Sequence, residues 1–148
     1  MNWLEGDVDL DAAQAAAIAQ GMRAVAQADG TIHQRELSLI ASFEAELPTD
    51  GAPADSFGSD AARLTYLRSI IMVALADGVI TDKEEEVISE LCSAHGIGRA
   101  QIHAETLEVK RWFLQAFSGV QIFRDAVVRV AQDLGLPENE VEALRGEA

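Results

Sequence analysis

One pattern occurs twice in this chain, at an offset of 48 residues, and it limits the fold more than any other feature. Residues 26–36 read Ala-Gln-Ala-Asp-Gly-Thr-Ile-His-Gln-Arg-Glu, and residues 74–84 read Ala-Leu-Ala-Asp-Gly-Val-Ile-Thr-Asp-Lys-Glu. Both are Ala-x-Ala-Asp-Gly-x-Ile-x-x-x-Glu. Each follows an apolar helical stretch and leads into an aliphatic pair, Leu39-Ile40 or Val87-Ile88. Self-similarity of this length implies a duplicated helix-turn-helix, with the copies packed about an approximate two-fold axis. In each copy the glycine, Gly30 or Gly78, supplies the positive φ that ends a helix, and Ile32 or Ile80 is expected to be buried between helices.

The rest of the chain also favours helix. Ala, Leu, Glu, Gln and Arg dominate, and no alternating β-branched run suggests a strand. A first helix is predicted from Asp9 or Asp11 to Ala28, and a second from near His33 through Leu37, Leu39, Ile40, Phe43 and Leu47. Ser59 or Asp60 caps a third, and Thr81 caps a fourth that Gly96 ends. Ile102 to Phe117 mark a fifth, Val120 to Leu134 a sixth after a break at Ser118-Gly119, and Pro137 opens a last one. The expected fold is all-α: a compact bundle of about seven helices in a single domain, 1–148. Repeat one covers about 10–47, a turn-rich surface loop 48–58, repeat two about 59–97, and C-terminal helices 98–148. A weaker echo pairs His95-Gly96-Ile97-Gly98 with Leu134-Gly135-Leu136-Pro137.

Composition excludes several functions. Asp and Glu number 25 against 11 Lys and Arg, a net charge of −14, which argues against nucleic-acid binding because phosphate contact needs a clustered basic surface. One cysteine allows neither an intrachain disulfide nor a cysteine zinc cage. Residues 1–7 lack the basic stretch and apolar run of a secretory leader, and the longest apolar run, Ile70 to Ala76, is too short to span a bilayer. The expectation is an acidic, soluble, cytoplasmic protein without a transmembrane segment.

The carboxylates of the repeat carry the chemistry. Asp29 and Asp77 fall at helix C-termini, where the dipole disfavours negative charge. Asp29 continues the line of Met22 and Val25, Asp77 that of Ile70 and Val73, while Glu36 and Glu84 precede the aliphatic pairs by three and four residues. All four therefore lean toward the packed side and need donors, a charge partner or a cation. A bland alternative exists for the glutamates: Thr81-x-x-Glu84 is a capping box, and His33-x-x-Glu36 a poorer one. The pattern also equals the second half of an EF-hand loop, in which Asp-Gly-x-Ile-x-x-x-Glu gives an oxygen ligand, the turn glycine, a buried aliphatic and a bidentate glutamate. Its first half is missing, so a full EF-hand is not expected. A reduced site of Asp, Glu, carbonyls and water would suit a hard divalent cation, calcium or magnesium, and bind it weakly unless both copies contribute.

At Ala28-Asp29-Gly30-x-Ile32-x-x-x-Glu36 and Ala76-Asp77-Gly78-x-Ile80-x-x-x-Glu84, continued by Val87-Ile88-x-x-Leu91 and His95-Gly96-Ile97, the chain resembles the tellurite-resistance TerB family and the TerB-like domains of membrane-associated co-chaperones. The resemblance spans roughly residues 10 to 145 and is strongest at 70–97. It implies a compact all-helical fold with internal pseudo-symmetry and a metal-binding or metal-sensing role in bacterial stress systems, with protein partners at the inner membrane face. It does not imply an enzyme. The family's acidic positions carry over to Asp29, Glu36, Asp77 and Glu84. The first copy departs from the second in having His33 where Thr81 stands.

Other residues add little chemistry. His33 is either a helix cap or an added ligand that would favour a transition metal. Cys92 falls on an apolar stripe and reads as core, His95 as a partner for the helix C-terminal dipole, and His103 as surface. No Ser-His-Asp order, phosphate loop or HExxH motif appears, so no catalytic or cofactor-binding residue is assigned. Trp112, Phe113 and Phe117 are expected to pack on the repeats, with Lys110 and Arg111 beside them as a small interaction patch. The competing reading of the whole chain is a metal-free acidic adaptor whose faces bind protein.

Overall fold

The computed structural model describes residues 11–28, 30, 32, 34–46, 52–54, 57, 59–117 and 123–146, without the side chains of residues 46, 77, 116 and 143–146. Among these residues it is all-helical: α1 (Ala12–Ala26), α2 (Gln34–Glu46), α3 (Asp60–Ala74) with a 3-10 turn at Leu75–Asp77, α4 (Asp82–Ala94), α5 (Arg99–Phe117), α6 (Arg124–Asp133) and α7 (Glu138–Gly146). Adding 48 to the limits of α1 and α2 gives the limits of α3 and α4. The packing is reciprocal too: α1 and α3 lie on each other, and each also touches both α2 and α4.

Caps set the helix starts. Asp11 accepts from the Gln14 N–H at 2.7 Å while the Gln14 side chain accepts from the Asp11 N–H at 3.1 Å. Ser59 accepts from the Ala62 N–H at 3.1 Å and begins α3. Helices α4 and α6 end alike. The Ile97 N–H donates to the Cys92 carbonyl and that of Gly96 to Ser93, as Leu136 donates to Ala131 and Gly135 to Gln132. Both are Schellman turns, with the glycine at φ 72° and 77° respectively. The echo between Gly96 and Gly135 is thus a repeated helix stop.

Small residues bring α1 and α3 together. Ala15 to Ala19 are all buried, and a Cβ on Gly21 would come within 2.9 Å of the Tyr66 ring. The buried hydroxyls opposite, Thr65 and Ser69, donate back along α3 to the Ala61 and Thr65 carbonyls, so neither is left without an acceptor.

Beyond this crossing the copies diverge. Every residue from Ile70 to Ala76 is buried, whereas Arg23 and Gln27 in the first copy are exposed. The difference comes from α5 and α6. Helix α5 packs on α3, and α6 on the 3-10 turn. Arg68 of α3 donates to Glu105 of α5 at 2.7 Å and lies 4.4 Å above the Trp112 ring. Phe113, Phe117 and Phe123 form one cluster, with centroids 4.5 to 6.0 Å apart, that joins α5 to the start of α6. Lys110 and Asp133 pair across the same two helices, and α7 covers α6 through Val128, Ala131 and Val141. Arg23 grips both oxygens of Glu44 at 2.7 Å and ties α1 to α2.

Two expectations need correction. Ile32 and Ile80 are half-buried, not enclosed, because each sits in the link between helices and packs only at the edge of the core. The 48–58 segment is not purely a surface loop. Its residues 48–51, 55, 56 and 58 lie outside the described residues, but Phe57 is buried against Tyr66 and His95 at centroid distances of 5.1 and 5.0 Å. Burying an aromatic ring against two others supplies a hydrophobic gain that an exposed loop position would forgo. The predicted break at Ser118-Gly119 lies outside the described residues.

The two turn glycines predict different costs. Both have left-handed backbones, φ 91° at Gly30 and 87° at Gly78. A Cβ on Gly30 would meet nothing within 4 Å, while one on Gly78 would press on the Ala126 carbonyl and the Arg129 Cβ, both at 2.7 Å. Gly30→Ala is expected to cost about 1–2 kcal/mol, the left-handed penalty alone. Gly78→Ala should cost at least about 1–3 kcal/mol more, from the added overpacking. Urea unfolding of both variants checks the order; equal losses would contradict it.

Candidate functional site

The four candidate carboxylates sit in or just after the two Asp-Gly turns. In the second copy, α3 tightens into the 3-10 turn, and the Gly78 N–H donates to the Leu75 carbonyl at 2.7 Å. In the first, the Gly30 N–H donates to the Gln27 carbonyl at 2.9 Å. The chain then enters α2 and α4, and Glu36 and Glu84 both fall at the third helical position. Both are buried, at 2% and 3% relative exposure. The inward lean read from their spacing is therefore real for the glutamates. Asp29 and the side chain of Asp77 lie outside the described residues.

Glu84 has a defined task. Its Oε1 accepts from the Thr81 N–H at 2.9 Å, and its own N–H donates to Thr81 Oγ1 at 3.2 Å. This closes a capping box, which supplies donors to a carboxylate that would otherwise be costly to bury. Among the described residues, no three of His, Cys, Asp and Glu come close enough together to hold a metal ion. An ion here would rely on the turn aspartates in addition to the glutamates.

Sequence reasoning missed a cleft beside the second turn. It has a volume of about 990 Å³ and opens between α4, α5 and α6. Leu75, Ile80, Ile88 and Ile102 give it an apolar lining, and Arg99, Lys110 and Arg129 bring positive charge beside the acidic Glu85 and Asp133. Val79 and Leu107, exposed apolar side chains, also line it. The sequence did carry a signal: Arg99, Ile102, His103, Thr106, Leu107 and Lys110 recur at helical spacing, so one face of α5 is mixed basic and apolar.

A second cluster, at the far end of α4, is structural. Cys92 is fully buried, as its apolar stripe predicts, and His103 is exposed. His95, expected as a partner for the helix C-terminal dipole, packs against the tilted rings of Tyr66 at 4.7 Å and Phe57 at 5.0 Å, and burial lowers its pKa. Desolvation by two aromatic rings outweighs the dipole at this position. Trp112 is half-buried beneath Arg68, while Phe113 and Phe117 are core.

Burial raises the Cys92 thiol from 9.0 to about 11. It also pushes the Tyr66 phenol upward, with the charge of an ionised Cys92 adding to the effect. An unfolded chain ionises Cys92 near 9.0 and the folded one only near 11, so stability present below the first value is lost as pH rises between them. On the acid side the unfolded chain protonates His95 first, so stability falls as pH drops below its ordinary 6.5. Urea midpoints measured across this range should therefore decline at both ends. Cys92→Ala should flatten the alkaline decline, and an unchanged slope would contradict this assignment.

Comparison of the chain with family models, with curated proteins and with solved structures returns no match.

Proposed function

We propose that the chain is a non-enzymatic, TerB-like binding domain whose two Asp-Gly turns hold a divalent cation, calcium or magnesium, in a bacterial stress-response system of the tellurite-resistance kind. The observation that carries this reading is the burial of Glu36 and Glu84 at matched positions of α2 and α4. A glutamate is among the residues least often fully buried, and two in register are harder to attribute to chance. Asp29 and Asp77 would supply the inner oxygens, and Glu36 and Glu84 would close the site from the following helices. Such an ion would tie α1–α2 to α3–α4 and fix a surface for a protein partner, on the cytoplasmic side and at the inner membrane face. Among the described residues, no helix is long and apolar enough to cross a membrane.

One observation favours a second reading, the metal-free acidic adaptor. The Thr81 capping box satisfies part of Glu84 without any ion. The two readings differ in what cations do. Binding to the native state raises stability with ligand concentration over Kd, by about 2.7 kcal/mol at a hundredfold excess. Metal-stripped protein should melt several degrees higher in millimolar calcium or magnesium, and Asp77→Ala should abolish the shift. No shift with calcium, magnesium, manganese or zinc would leave the adaptor as the function.

A further inference from the structure

We infer that the cleft between α4, α5 and α6 is a binding site for a small anionic amphiphile, a carboxylate carried on an aliphatic chain. The inference goes beyond the cation reading and does not depend on it. It starts from a gap in the packing. Helices α4 and α5 are joined through residues 95–98 and pack little against each other, whereas α5 packs closely on α3 and α6. The face of α5 running from Arg99 to Lys110 consequently lines a trough, spanning about 16 Å at the helical rise. At about 990 Å³ the cleft falls within the size range of sites that take small organic ligands.

Its lining has two parts. The middle is apolar, with Ile88 buried below and Val79 and Leu107 at 55% and 39% exposure along it. Two of the three large exposed apolar side chains among the described residues therefore belong to this one cleft. The ends are basic. Lys110 is neutralised by Asp133, but Arg99 forms no ion pair with any described residue, although the chain holds 25 acidic residues. Arg99 is also the first residue of α5, where the helix dipole makes a cation unfavourable. An unpaired arginine on a strongly acidic protein, placed at a helix N-terminus and at the mouth of an apolar trough, becomes favourable when an anion binds there. The carboxylate would take the arginine fork, and the chain would lie over Ile102, Leu107 and Ile88. A neutral amphiphile would leave Arg99 unpaired. A polyanion would be repelled by the net charge of −14.

The test uses the full chain and anilinonaphthalene sulfonate, a fluorescent anion with an apolar body. Laurate should displace the probe, and dodecyl maltoside at the same submicellar concentration should not. Arg99→Glu and Leu107→Asp, both at exposed positions, should each weaken laurate binding about tenfold or more, equivalent to about 1.4 kcal/mol. Arg111→Glu, outside the cleft lining and paired to Glu108, should leave it unchanged. Equal displacement by the maltoside, indifference to Arg99→Glu, or binding to anionic phospholipid vesicles with none to laurate would each overturn the proposal.

Discussion

Ile70 to Ala76 are buried on every side, and the rest of the molecule is arranged around that constraint. A helix end that is apolar all round cannot sit at a surface; it needs neighbours in each direction. Helices α1, α2 and α4 meet α3 from within the paired hairpins, α5 lies along it, and α6 roofs the 3-10 turn that follows. The C-terminal third of the chain is thus no appendage to the repeat. It is what makes the second copy a core element, while the first copy, with Arg23 and Gln27 facing water, remains on the outside.

This asymmetry gives one motif two environments. Gly30 turns the chain in open space, and Gly78 turns it beneath the backbone of α6. The same glycine is needed for its dihedral angle in one copy and for its missing Cβ as well in the other. The cleft follows from the same arrangement, because α5 and α6 close on the second turn from one side while α4 packs on α1 and α3 and makes little contact with them. Any chemistry at Asp77 would therefore take place beside a ligand-sized trough.

Much of the fold was legible in the residues. The all-α class and the number of helices followed from composition and period, and the caps at Ser59 and Thr81 and the stop at Gly96 were readable from local hydrogen-bonding chemistry. The inequality of the copies has a trace that sequence reasoning passed over: Ile71 and Leu75 stand where the first copy has Arg23 and Gln27. Phe57 was not, because it sits among turn residues with no period to mark its inner face. His95 was misread for a related reason. The sequence shows its place at a helix end but not the rings of Tyr66 and Phe57, which come from other elements. The burial of Glu36 and Glu84 could be inferred from spacing; the cleft could not, since it depends on how little α4 and α5 pack against each other.

Amide hydrogen exchange tests the central claim most directly, because it reads protection residue by residue in the native chain. If the second copy is the buried hub, the amides of Ile70 to Ala76 exchange only through global unfolding. Those of Met22 to Ala28, in the matching segment, exchange faster by local opening. Equal protection in the two segments, or slower exchange in the first, would contradict the account.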